Sequence, residues 1–216
     1  MGGRRLRIGS GLVLVALVVG GLAFRPRGVE AATASPEFTV APFATGLRGP
    51  GALAMGPGGP FGDGLYVLDR DPATQTGRLV GLTPTGQALT LVEGLQRPTG
   101  LVLSGGGTWG SFAYILEHQA GLGSGVRLIR VSPLGAVEHV GAAPGGARVP
   151  GGVVLSPGGS WGEALYLSDA GEGELLRVTP AGQASVCLKG LSGPRAMAWA
   201  PAGSPFGEGL HVVTGR

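Results

Sequence analysis

The stretch GPGGPFGDGLYVLD, Gly56 to Asp69, returns in altered form as SPGGSWGEALYLSD, Ser156 to Asp169. Each copy sets a glycine- and proline-rich run directly before an apolar run centred on a tyrosine. A segment met twice in one chain marks an internal repeat, and a repeat decides architecture before single elements do. Working outward, four prolines, Pro50, Pro98, Pro150 and Pro194, each open a short apolar run: GALAM, TGLVL, GGVVL and RAMAW. A turn-prone stretch follows, then an aromatic residue with glycine: Phe61-Gly62, Trp109-Gly110, Trp161-Gly162 and Phe206-Gly207. A second apolar run comes next, LYVLD, AYILE, LYLSD or LHVVT. Its Tyr66, Tyr114, Tyr166 or His211 lies 16, 16, 16 or 17 residues after the proline.

Two more runs complete the unit. The third is RLVGLTPTG, RLIRVSPLG or ELLRVTPAG, and the fourth is QALTLV, AVEHVG or QASVCLK. Four short strands separated by turns, repeating every 44 to 52 residues, is the arithmetic of a β-propeller blade. The chain is therefore predicted to be all-β, with four-stranded blades at about 44–92, 93–141 and 142–189 and a partial blade at 190–216. Strands are expected near 52–55, 64–68, 78–82, 88–92, 100–103, 112–116, 127–131, 136–140, 152–155, 164–168, 175–178, 184–188, 196–199 and 210–213. The glycines read as turn chemistry, because tight turns need positive φ and glycine adopts it at no steric cost. A phosphate cradle would need a helix directly after the glycines, and an apolar strand follows instead. The repeated Phe or Trp is expected to pack between neighbouring blades, and the tyrosines with His211 to occupy one register position.

Composition agrees. Glycine is 45 of 216 residues, charged residues are 13%, and the 43% hydrophobic content argues for a built core. The formal charge of +3 comes from the N-terminus, where Arg4, Arg5, Arg7, Arg25 and Arg27 face one acid, Glu30. The rest of the chain is close to neutral and has no Lys/Arg cluster, so nucleic acid is not an expected partner. MGGRRLR followed by IGSGLVLVALVVGGLAF and VEA reads as a secretory signal over residues 1–31, cut after Ala31, with a helix over 8–24. The expected location is periplasmic or extracellular, without stable membrane insertion after cleavage. The one cysteine, Cys187, has no disulfide partner in the chain and sits in an alternating strand pattern, where a buried apolar role is expected.

Pro-x-Gly-apolar, then LYVxD, then RLxRVTPxG resembles secreted bacterial propellers of the NHL and SMP-30/gluconolactonase-like superfamily, over roughly Phe38 to Arg216. The resemblance implies a six-bladed, TolB-like ring. Against that count, one outer strand at Phe38 to Phe43, three full blades and half a blade read as an open or incomplete ring, a partial copy. Unpaired blade edges then invite self-association.

Asp69, Glu117 and Asp169, each three residues after its tyrosine, are the candidate metal ligands, with calcium the cofactor such oxygens would take. The competing and preferred role is structural, each acid capping the turn that follows its strand. The resemblance implies that metal ligands sit on loops near the central channel, which correspond to GPGAL, RPTGL, VPGGV and GPRAM. None of these carries Asp, Glu, Asn or His. Glu117-His118 as a ligand pair is disfavoured, since neighbours on a strand point to opposite faces. His139 is expected to be solvated and His211 to fill the tyrosine slot. Arg48, Arg97, Arg148 and Arg195 recur beside the blade-opening proline, as solvated loop residues or as a ring selecting anions. No catalytic residue is assigned. The reading is an exported binding or scaffold module for a small molecule, glycan or protein, leaning away from an enzyme. The alternatives are a calcium-dependent lactonase-like hydrolase, a quinone-linked sugar oxidoreductase, or a fragment of one.

Overall fold

The computed structural model describes residues 43–119, 125–142, 149–205 and 207–215. Within them the chain is a succession of antiparallel strands. The first sheet holds β1 (Pro50–Met55), β2 (Leu65–Arg70), β3 (Thr76–Leu82) and β4 (Ala88–Gln96). The second holds β5 (Gly100–Gly105), β6 (Ser111–Gln119), β7 (Gly125–Val131) and β8 (Val137–Ala142). The third holds β9 (Pro150–Leu155), β10 (Leu165–Asp169), β11 (Glu174–Val178) and β12 (Ala184–Leu188), and β13 (Pro194–Ala200) pairs with β14 (Gly209–Thr214). Each strand overlaps a predicted one. In every sheet the strands follow chain order, the meander of a propeller blade. The predicted helix at 8–24 and most of the predicted strand at 38–43 lie outside the described residues.

Successive blades meet through their first strands, β1 against β5, β5 against β9 and β9 against β13. These strands therefore line the axis, and the sheets form an open arc. Period-two alternation sends each strand's side chains to two different neighbours. In β6, Ala113 and Ile115 join Leu68, Leu79 and Leu101 in the core between the first two blades. Tyr114 and Leu116 point the other way and join Val153, Leu165 and Leu167 between the second and third. The free face of the first blade is partly covered by the incoming segment, where Ala44 and Leu47 pack on Leu65, Val67, Val80 and Leu82.

The quoted glycine stretch folds into a 3-10 turn, and the turn repeats: Gly59–Phe61, Gly107–Trp109 and Gly159–Trp161. Gly59, Gly107 and Gly159 open it at φ of 58°, 66° and 62°, and Gly62, Gly110 and Gly162 close it at 60°, 63° and 66°. Any side chain would be strained in that left-handed region, which is why glycine flanks each aromatic residue. The turn throws the aromatic ring against the tyrosine of β2 or β6, edge to face, at 5.4 Å for Phe61–Tyr66 and 5.2 Å for Trp109–Tyr114. The tyrosine hydroxyl closes the unit by donating to the aromatic residue's carbonyl, at 2.8 Å to Phe61 and 2.5 Å to Trp109. In the third blade the rings of Trp161 and Tyr166 both meet Trp199 of β13, at 5.0 and 5.5 Å. The tyrosine register holds throughout: Tyr66, Tyr114, Tyr166 and His211 pair with Ala54, Val102, Val154 and Ala198, each four residues after the blade-opening proline. Phe206 lies outside the described residues.

One expectation is corrected. Cys187 is exposed, on the outermost strand β12, with its thiol directed to the Leu175 carbonyl at 3.3 Å. Alternation in an outer strand marks two faces but does not guarantee that a neighbouring blade covers either one.

Candidate functional site

One end of the blades gathers the polar chemistry. It is built from the β2–β3, β6–β7 and β10–β11 turns and from the linkers that bring the chain into each first strand. Asp69, Glu117 and Asp169 end the second strands here and are 1%, 1% and 2% exposed. Burial at that level requires donors for the carboxylate oxygens. Asp69 accepts the backbone N–H groups of Arg48 and Gly49 at 2.8 Å each, on Oδ1. Its Oδ2 is held by Arg78 of β3, Nε at 2.9 Å and Nη2 at 2.8 Å. Glu117 repeats the arrangement, accepting Gln96 N–H at 2.8 Å and Arg127 Nε at 2.8 Å. Asp169 accepts Val149 N–H at 3.2 Å, Gly171 N–H at 2.9 Å and Glu172 N–H at 3.4 Å.

The common element is the linker. Each acid binds backbone N–H one or two residues before the proline that opens its own blade. It thereby fastens the blade to the chain arriving from the one before. Among the described residues the expected capping of the following turn holds for Asp169 and not for Asp69, and the turn after Glu117 lies outside them. After β2 that task falls to Asp71, whose Oδ1 accepts Ala73 and Thr74 N–H, while Arg48 binds its Oδ2 at 3.2 Å. Those backbone donors, and then Arg48, hold the Asp71 carboxyl below its usual range. The sequence reading missed Arg78 and Arg127. Their signal was the leading arginine of RLVGL and RLIRV, which the hairpin register sets opposite Asp69 and Glu117. In the third blade Glu174 takes that place opposite Asp169, and it pairs with Lys189 at 2.9 Å.

As calcium ligands the three acids fit poorly. A calcium ion takes six to eight oxygens from one neighbourhood. Asp69 and Glu117 already spend their oxygens on N–H donors, and no three His, Cys, Asp or Glu side chains come together among the described residues.

The cationic side chains divide into two groups. Arg48, Arg78 and Arg127 are matched to Asp71, Asp69 and Glu117. Arg70 and Arg97 have no ion pair among the described residues. Arg70 is half-buried at the end of β2 and Arg97 is exposed in the linker before Pro98. Both lie close enough to His118 to act on it: burial, then Arg97, then Arg70 lower the imidazole pKa from its ordinary value. Arg148 lies outside the described residues, Arg195 is exposed at the start of β13, and His139 and His211 are exposed. Between the first two blades a cleft of about 190 Å³ opens, lined by Gly49, Pro50, Gly51, Leu68, Arg70, Pro98 and Thr99.

No family model matches the chain, and no curated protein matches it. Solved structures do. A proposed oxidoreductase (glucose dehydrogenase) of Thermus thermophilus superposes with a TM-score of 0.58 at 20% identity, over 80% of this chain and 63% of that one. The calcium-binding protein regucalcin of Agrobacterium tumefaciens gives 0.54 at 18%, over 70% and 49%. A gluconolactonase of Xanthomonas campestris gives 0.52 at 15%, over 71% and 51%. The chain thus spans half to under two-thirds of these neighbours. All are β-propellers, as the blade motif led one to expect, and at these identities the likeness is one of fold.

Proposed function

We propose that the chain is an exported β-propeller module that binds a small polar ligand at the linker end of its blades without turning it over. The observation that carries this reading is the commitment of Asp69, Glu117 and Asp169. These three buried acids are spent on backbone N–H groups and, for Asp69 and Glu117, on Arg78 and Arg127. At that end, among the described residues, a cleft lined by Arg70 and free of acids suits recognition better than proton transfer. The export half rests on the residue 1–31 pattern alone.

A second reading, a calcium-dependent lactonase or a quinone-linked sugar oxidoreductase, draws on the names of the neighbours, which include a gluconolactonase, a calcium-binding protein and a glucose dehydrogenase. Purified residues 32–216 incubated with a panel of sugar lactones and aldoses, with calcium or a quinone acceptor, separate the two. Binding without turnover supports the module, whereas metal- or acceptor-dependent turnover establishes the enzyme. For export, fusing residues 1–31 to a reporter should give a product cut after Ala31.

A further inference from the structure

We infer that the seam between the first and second blades is a binding site for a small oxyanion, a carboxylate or phosphate group held by Arg70 and Arg97 over the cleft that Thr99 lines. The inference rests on the binding-module reading and narrows its ligand. Three independent features meet at this place.

The first is charge. Asp69, Asp71 and Glu117 are each matched to an arginine other than these two, and Glu93 lies beside Arg48 and Arg78 in the neighbouring pocket. No acid lines the cleft. Two guanidiniums on one seam repel each other unless solvent or an anion intervenes, and each offers five N–H donors in a fork that fits planar carboxylate or phosphate oxygens. The second is an orphan hydroxyl. Thr99 Oγ1 is buried without a hydrogen-bond partner, while Thr99 N–H is already given to the Leu116 carbonyl at 2.9 Å. A buried hydroxyl left unsatisfied costs free energy, and Thr99 is one of the residues that line the cleft.

The third is backbone strain. Among the described residues the two non-glycine positions at positive φ are Gln75 at 62° and Arg97 at 43°, and Arg97 directly precedes Pro98, which lines the cleft. They hold each other, Arg97 N–H donating to the Gln75 carbonyl at 3.0 Å. Strained conformations of this kind persist where surrounding structure fixes them, and they concentrate at ligand clamps. The fixing contacts are present: Arg70 N–H donates to the Gly49 carbonyl at 3.0 Å, and Pro98 sits so close to Gly77 that a Cβ there would meet its ring at 2.4 Å. The arginine bases are thus anchored while their side chains have no ion pair among the described residues, the arrangement of a preorganised site.

The test is a titration of residues 32–216 with inorganic phosphate, with acetate and with glycerol as the neutral control, read by amide and arginine side-chain NMR shifts. Saturable shifts centred on Arg70, Arg97 and Thr99 are expected for at least one oxyanion and none for glycerol; which anion saturates identifies the group. Arg70→Gln and Arg97→Gln should each weaken binding by about tenfold or more, the loss expected for a charge-assisted, forked contact. Thr99→Val should weaken it by a smaller factor, and Arg130→Gln, distant and paired with Glu138, should not change it. Thermal melts of each variant, and the charge-keeping Arg70→Lys, separate lost binding from lost folding. Absence of saturation by both anions, or equal affinity in the Arg70→Gln/Arg97→Gln double variant, overturns the site. A neutral ligand found in a wider screen alongside silent oxyanions would do the same and leave the binding module standing.

Discussion

At the scale of single residues, the acids that look like ligands are fasteners. Removing Asp69 strands two backbone N–H groups and leaves Arg78 without its partner. Asp69→Ala and Glu117→Ala should therefore each cost about 3 kcal/mol in urea unfolding, as breaking a buried pair does. Asp71→Ala, at an exposed turn, should leave the midpoint almost unchanged. Equal effects of all three would refute the fastening role. His118 offers a second check. Its lowered pKa reflects burial first and Arg97 second, so Arg97→Gln should raise it toward the ordinary value. An imidazole NMR titration reads this directly, and an unmoved midpoint would mean that burial alone sets it. The sign for stability follows. The unfolded histidine takes up its proton near pH 6.5, above the folded one, so its contribution is present above about pH 6.5 and is lost as pH falls through the lowered folded value. These roles were half legible in sequence. Asp169 does cap its own turn through neighbours two and three residues on, but the backbone donors to Asp69 lie 20 and 21 residues away, beyond any local pattern.

At the scale of the element, the 3-10 turn, its aromatic residue and the following tyrosine act as one plug, which each blade presents to the next. Trp109 is 4% exposed between the second and third blades, so Trp109→Ala should cost about 3–5 kcal/mol through the cavity it leaves. Tyr114→Phe removes the hydroxyl's hydrogen bond to the Trp109 carbonyl and its contact with Arg130 but keeps the ring, and should cost about 1 kcal/mol. Chemical unfolding of both variants measures the ratio; a Tyr114→Phe loss as large as that of Trp109→Ala would place the energy in the hydrogen bond. This element was legible almost entirely, because its glycines, its ring and its tyrosine are neighbours in the chain and recur at fixed spacing. The ring's surroundings were not. Phe61 and Trp109 are buried while Trp161 is 37% exposed, a difference set by what the adjoining blade supplies.

At the scale of the whole molecule, an open arc leaves strand edges and sheet faces that a closed ring would cover. β14 pairs only with β13 among the described residues, and Val213 on it is 61% exposed. An apolar, unpaired edge is a template for a further strand. Residues 32–216 are therefore expected to self-associate in light scattering, and Val213→Lys to shift the population toward monomer; a monomer in both cases would show that the edge is inert.

The sequence alone determined the β-propeller, the four units, the strand order and the tyrosine register, since each follows from period-two alternation and from turn residues within one blade. The third dimension decided the rest. Which acid meets which linker and where the left-handed Gln75 and Arg97 meet depend on contacts between segments 20 or more residues apart. Such contacts are set by how the linker and the blade pack together, which no local run of residues encodes.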